Sequence, residues 1–276
     1  MPRGAVRVPA RAIARRLVPE AWRPAVKAVA RQVTWRLYAG DRYECPCCDT
    51  RFRAFLGFGR GAHGGSRPNV RCPRCGSLER ERLIWLFLRD HGDLLTSPMR
   101  LLHVAPEPQL RRRLRGLSGV SYLCGDLARG MADTVIDIRS MPFPDETFDG
   151  IICNHVLEHV PEDRQAMAEL RRVLRRDGWA ILQVPLDPRR ERTDEDPTIL
   201  DPAVRTRRFG QADHVRIYGR DYAGRLAEAG FEVSEEPGPP GITAADRDRH
   251  RLAEEEVIFL CRPRAAAAVS ERRASR

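Results

Sequence analysis

Residues 137–185, DIRSMPFPDETFDGIICNHVLEHVPEDRQAMAELRRVLRRDGWAILQVP, decide the fold. They read as a turn, a buried strand over 148–153, a loop carrying Asn154 and His155, an amphipathic helix, a turn at Gly178 and a second buried strand over 179–184. Short apolar runs alternating with helical periodicity are the pattern of parallel strands covered by helices. The expectation is an α/β sheet whose ligand edge lies at the strand ends.

Upstream, 101–104 reads as a strand, 105–108 as a turn, and Leu110, Leu114 and Leu117 as the apolar stripe of a helix. The next strand, 120–124, runs out at Gly125 and Asp126, and Asp126 lies 20 residues beyond Pro106. At that interval the second strand of a nucleotide-binding unit offers a carboxylate to ribose hydroxyls. A third strand over 134–136 ends at Asp137, which can accept from an exocyclic amine while Ile138 covers a ring face. A lone Asp at either place would be read as a turn residue; two at successive strand ends point to a ligand.

The run D-I-R-S-M-P-F-P-D-E-T-F-D, followed by a strand, N-H-V-L-E-H and R-V-L-R-R-D-G-W, resembles the class I S-adenosylmethionine-dependent methyltransferases of the type 11 domain group. The resemblance covers about residues 99–262 and implies a Rossmann-like α/β sheet of seven strands with the last edge strand antiparallel. It further implies that Asp126 holds the ribose, Asp137 with Ile138 the adenine, and Asn154 with His155 the methionine part of S-adenosyl-L-methionine. The first loop departs from the family. Where members usually carry D-x-G-x-G-x-G, this chain has His103, Val104, Ala105, Pro106, Glu107 and Pro108. Glycines there permit positive φ and close approach, whereas two prolines fix φ and remove two N–H donors. The cofactor carries no phosphate, so an anion cradle is not required, and Glu107 offers a carboxylate to its α-ammonium. His103, Ala105 and Glu107 therefore join the cofactor-binding candidates. A pseudoenzyme with a damaged pocket is the competing reading.

Methyl transfer needs alignment and desolvation, and a base only where the acceptor must lose a proton. His155, His159 and His214 are the candidate catalytic bases, since an unperturbed imidazole titrates near neutrality. Residues 186–222, charged and proline-containing, read as a lid or substrate loop. Within it His214, Arg216 and Tyr218 alternate, which places all three on one face of an extended segment. In the family a segment of this kind borders the acceptor pocket, which makes Arg216 and Tyr218 substrate candidates. The alternative is a hydrogen-bonded loop leading into a helix over 221–229. Strands over 231–233 and 256–260 close the sheet, with a loose polar excursion between them. Cys124, Cys153 and Cys261 fall on strands and read as packing.

Before the sheet stand Cys45 and Cys48 in one C-x-x-C pair and Cys72 and Cys75 in another. Two such pairs supply four thiolates for a closed, structural Zn²⁺ site. An iron–sulfur cluster would use the same ligands, and Cys47 is an alternative to Cys48. Between the pairs Phe52, Phe55 and Phe58 interleave with arginines, either as the small core of a zinc ribbon or as a platform for bases. Ser77 is the expected N-cap of the helix that follows, with Glu79 and Glu81 in its first turn. The domain reading is a basic arm at 1–40, a zinc-ribbon-like module with its linking helix at 41–98, a methyltransferase domain at 99–262 and a disordered tail at 263–276.

The formal net charge of +10 belongs to the ends: 1–40 carries +8 and 262–276 carries +4, leaving about −2 for the body. No run of about 18 apolar residues occurs and the first 40 residues lack a secretory apolar core, so the chain reads as cytoplasmic, with an organellar transit peptide left open. Apolar residues of the arm recur at helical spacing beside arginines, so RNA, or peripheral contact with anionic lipid, is a candidate role for it. Three functions follow: a methyltransferase acting on a small molecule, lipid or sugar-linked metabolite; an RNA methyltransferase held to its substrate by the zinc module and arm; and a non-catalytic zinc-binding scaffold.

Overall fold

The computed structural model describes residues 33–59, 67–254 and 256–264. The arm's helical patches, most of the glycine-rich loop between the cysteine pairs and the Ala- and Arg-rich tail lie outside the described residues.

The chain enters through a 3-10 turn at Trp35–Tyr38 and two small antiparallel pairs, β1 (Ala39–Cys45) with β2 (Thr50–Phe52) and β3 (Leu56–Phe58) with β4 (Arg67–Arg71). Phe52, Phe55 and Tyr43 are buried between them in edge-to-face contact, the geometry aromatic quadrupoles prefer. Two of the three phenylalanines thus form the module's core, while Phe58 stays exposed with Arg71 over its ring.

Helix α1 (Glu79–Asp90) follows. Leu78, not Ser77, is its N-cap: the Glu81 carboxylate reaches back to the Leu78 amide, and the buried Ser77 hydroxyl is drawn instead to the cysteine sulfurs. One apolar core runs from Phe52 and Phe55 through Leu83, Ile84 and Phe87 to Leu101, Trp179 and Ile181, so α1 is shared between module and sheet.

The sheet comprises β5 (Met99–Val104), β6 (Val120–Asp126), β7 (Thr134–Val135), β8 (Phe148–Asn154), β9 (Leu174–Gln183), β12 (Phe231–Glu236) and β13 (Ile258–Pro263), in the order β12-β13-β9-β8-β5-β6-β7. The pairs among β5 to β9 are parallel, and the last strand, β13, runs antiparallel to both of its neighbours. Central β5 and β8 are buried almost throughout, as strands covered on both faces must be. Helix α2 (Pro108–Arg115) follows β5, and α3 (Asp163–Val173) sets Ala166, Met167, Leu170 and Val173 into the core before β9.

Two expectations change. The turn at Gly178 is a bulge inside β9: Phe148 pairs with Leu174 and Gly150 with Trp179, so 175–178 loop out of register. Gly178 is needed because a Cβ there would stand 2.8 Å from the Asp149 carbonyl. The excursion between β12 and β13 is also folded. It contains α6 (Ala244–His250), capped by Thr243, which the structure docks on the cysteine module. Buried Arg82 donates to the carbonyls of Val70, Ser77, His250 and Arg251 at 2.6–3.1 Å, and Arg249 meets Glu44 at 2.7 Å. Polar composition hid this helix because its stabilisation comes from arginines bonding to backbone, not from an apolar face.

The insertion after β9 holds β10 (Asp194–Glu195), α4 (Pro202–Phe209), β11 (Arg216–Ile217) and the start of α5 (Tyr222–Glu228). Among the described residues no helix is long and apolar enough to cross a membrane.

Candidate functional site

Two hollows flank the ends of β5 and β8. The smaller, about 300 Å³, is lined by Ala105, Asp126, Ile136, Asp137, Ile138 and His159 among others. The larger, about 560 Å³, is bordered by His155, Pro185, Leu186, Glu235, Glu256 and Phe259. Parallel strands bring these ends together: each aims its last residue at the same edge, where helices diverge and leave a crevice.

The backbone is unusual at this edge. Ala105 at the end of β5 and His155 at the end of β8 both have positive φ, +46° and +55°. Each is held by a strand-to-strand bond, Ala105 N–H to the Gly125 carbonyl and His155 N–H to the Gln183 carbonyl, both 2.8 Å. Where the resemblance led to the expectation of a glycine turn, the left-handed position is taken by alanine. Left-handed backbone at a non-glycine residue costs on the order of 1 kcal/mol or more and gathers at functional sites.

Below the edge a polar chain crosses three strands. Tyr122 OH lies 2.9 Å from His103 Nδ1, His103 Nε2 is 3.1 Å from Glu107, and the other Glu107 oxygen accepts from Asn154 Nδ2. Burial acts to raise the Glu107 pKa, yet the bond and charge of His103 hold it below the usual carboxylate value. His103 is wholly buried with both ring nitrogens engaged. Its ring bridges Tyr122 and Glu107, and it lines neither hollow. Asn154 is buried, and its Oδ1 has no hydrogen-bond partner among the described residues.

Asp126 Oδ1 accepts from the Ala128 amide at 2.8 Å. Asp137 is bridged to Arg139 at 2.7 Å, and that bond holds its pKa low. Ile138 is buried and Ile136 packs so closely over Gly125 that a Cβ there would meet it at 2.4 Å. Gly125 therefore shapes the hollow, a role its place before Asp126 could have suggested.

The three histidines separate. His155 borders the larger hollow, with Nδ1 3.3 Å from Glu158, and His159 borders the smaller. His214 is buried, its pKa lowered by that burial, its Nδ1 3.1 Å from the Phe209 carbonyl, and it lines neither hollow. His214, Arg216 and Tyr218 do share one face, but it is a packing face. Arg216 donates to the carbonyls of Leu157, Val160 and Pro161 and pairs with Glu195 at 3.0 Å; the Tyr218 hydroxyl donates to Asp163 at 2.8 Å. Both are fully buried and line neither hollow; with so many carbonyl partners, Arg216 is a clamp on the 3-10 turn at Leu157–His159.

The cysteines converge. Cys45 and Cys75 sulfurs are 3.6 Å apart, those of Cys48 and Cys72 3.7 Å, and all four lie within 4.8 Å of one another. Tetrahedral ligands about 2.3 Å from an ion stand about 3.8 Å apart, so the group has the size of an S₄ site. Cys47 lies outside it, its thiol donating to the Glu81 carbonyl at 3.7 Å. Arg113 fastens the first knuckle to α2 through the carbonyls of Pro46 and Cys47.

Residues 100–182 match the methyltransferase domain family. Two curated relatives extend the likeness. The uncharacterized methyltransferase YcgJ of Bacillus subtilis is 35% identical over 78 residues, 28% of each chain. The uncharacterized 37.1 kDa protein in transposon TN4556 of Streptomyces fradiae is 31% identical over 162 residues, 56% of this chain and 40% of that one. The chain thus spans less than half the length of either. The crystal structure of YcgJ overlays 64% of this chain and 96% of its own at 16% identity, TM-score 0.41. The domain match and the curated relatives support a methyltransferase, and the matched residues contain the ends of β5, β6, β7 and β8.

What sequence reasoning missed are Glu158, whose carboxylate sits among three histidines, and the border of the larger hollow formed by Glu235, Glu256 and Phe259. Glu158 stood within N-H-V-L-E-H and was open to notice. The other three lie far along the chain, Glu235 on β12, Glu256 just before β13 and Phe259 on it, and nothing local to them marks a pocket.

Proposed function

We propose that the chain is an S-adenosyl-L-methionine-dependent methyltransferase whose cofactor occupies the smaller hollow and whose acceptor occupies the larger. The observation that carries this is the convergence of Asp126, Asp137 and Ile138 on one cavity, beside a backbone turn of the hand that the family makes with glycine. A carboxylate for a ribose, an acceptor for an amine and an apolar cover for a ring suit a nucleoside, and the Asp137 side chain would exchange its Arg139 partner for the ligand. Glu107, kept ionised by His103, supplies negative charge for an α-ammonium. The cofactor, when bound, supplies a sulfonium-borne methyl group.

The acceptor side is a walled, mostly apolar hollow with His155 and two glutamates at its border. That favours a small molecule, lipid or sugar-linked metabolite over a nucleic acid, because bases need an open stacking platform and, of the three phenylalanines between the cysteine pairs, only Phe58 is exposed, with Arg71 over its ring. Glu158 engages His155 Nδ1, which leaves Nε2 as the nitrogen available to take a proton from an acceptor. We further infer that Zn²⁺ is held by Cys45, Cys48, Cys72 and Cys75 as a closed structural site.

The test is a melting curve with S-adenosylhomocysteine. A ligand at about 100 times its Kd adds about 2.7 kcal/mol of stability, so wild type should melt higher and Asp137→Ala should lose the shift. No shift in wild type at millimolar ligand sinks the reading in favour of the scaffold.

A further inference from the structure

Glu158, His159 and His214 form a second cluster of metal-ligating side chains, 113 residues or more along the chain from the first cysteine. Their ligand atoms lie within 4.8 Å of one another: the Glu158 carboxylate is 3.9 Å from His159 Nε2 and 4.0 Å from His214 Nε2. Ligands about 2.0–2.1 Å from a tetrahedral ion stand about 3.4 Å apart, so closing the group on an ion requires shifts of roughly half an ångström.

The polar bookkeeping around the cluster is incomplete in a particular direction. Glu158 and His214 are buried almost completely, yet Glu158 Oε2 and His214 Nε2 have no hydrogen-bond partner among the described residues. Leaving such atoms dry and unpaired is costly. Each histidine, meanwhile, has its other nitrogen fixed from behind. His214 Nδ1 donates to the Phe209 carbonyl at 3.1 Å, and His159 Nδ1 faces Asp213, 3.3 Å from its carbonyl and 3.4 Å from its carboxylate. A proton held on Nδ1 by an oxygen behind the ring leaves the Nε2 lone pair for a cation, which is how metal-bound imidazoles are oriented.

We propose that Glu158, His159 and His214 bind a divalent first-row cation of the imidazole-preferring kind. Two imidazoles and one carboxylate leave at least one position for water or an oxygen of a bound molecule. The cluster stands between the two hollows: His159 lines the smaller, and His155, 3.3 Å from Glu158, lines the larger. This site is independent of the four cysteines and of whether the chain transfers methyl groups, because its test reads metal and not turnover.

The full chain, first brought to one zinc per molecule, is titrated with Co²⁺ and followed by absorption and calorimetry. The expected result is one further equivalent whose visible bands lack a thiolate-to-metal transition. Glu158→Gln keeps the volume and removes the charge; His159→Ala removes a ring that is partly exposed and so spares the core. Either should weaken the second equivalent at least about tenfold while the first zinc remains. The proposal is overturned if wild type takes up no second equivalent, if the new bands are those of thiolate ligands, or if the second equivalent survives in His159→Ala with the fold intact.

Discussion

Around the four cysteines the neighbouring polar groups already have partners: the Ser77 hydroxyl meets two sulfurs, and the Cys75 amide donates to Cys72 Sγ at 3.5 Å. At the sheet edge the opposite holds. Asn154 Oδ1, Glu158 Oε2 and His214 Nε2 are buried with no hydrogen-bond partner among the described residues. A site that only has to hold a fold can satisfy itself and close. A site that must admit and release a ligand keeps acceptors in reserve.

The largest effect expected from breaking this contrast lies on the closed side. With so small an apolar core of its own, the module would depend on the proposed zinc, and structural zinc supplies about 10–16 kcal/mol of apparent binding free energy in isolated fingers. Cys72→Ser with Cys75→Ser should therefore abolish the zinc detected by elemental analysis and lower the melting temperature sharply, since α1 links module and sheet through one core. An unchanged melting curve, or an iron absorption band in the wild type, would contradict the zinc assignment.

A smaller effect separates the two regions by pH. The Glu107 pKa is depressed in the folded state, so its contribution is present above the ordinary carboxylate value and is lost as pH falls through the folded one. Its bonds to His103 and Asn154 are charge-assisted, worth about 1.5–3 kcal/mol when one partner loses its charge. Glu107→Gln should lower stability at neutral pH and approach wild type below about pH 4. Denaturant midpoints measured across that range decide it; a constant difference would mean that Glu107 contributes by shape alone.

The same contrast explains how much could be read in advance. Cysteine spacing dictates a four-ligand site because a C-x-x-C turn can hardly aim its thiolates elsewhere, and the central strands were legible because both faces of β5 and β8 are buried. Asp126, Asp137 and Ile138 were legible because strand ends share an edge. The rest depended on what long-range packing does with polar residues. Arg216 and Tyr218 have the composition of a pocket, but burial against the carbonyls of Leu157 and Val160 makes them a clamp. α6 resembles a loose loop until Arg82 supplies the donors that dock it. Sequence carries direction along a strand well; it carries poorly which backbone carbonyl an arginine will find.

The smallest effect tests whether strain at the edge is part of its design. In Ala105→Gly the left-handed turn becomes unstrained, which gains on the order of 1 kcal/mol, while the unfolded chain gains freedom worth about 0.4–1 kcal/mol. The two nearly cancel, so the melting temperature should move little and affinity for S-adenosylhomocysteine should hold. Ala105→Val at the same φ of +46° has a branched side chain that this backbone region excludes, and should lose both stability and binding. If Ala105→Gly instead weakens the ligand, the methyl group itself contacts it, and the alanine has replaced the family's glycine as a wall of the cavity that Asp126 and Asp137 share.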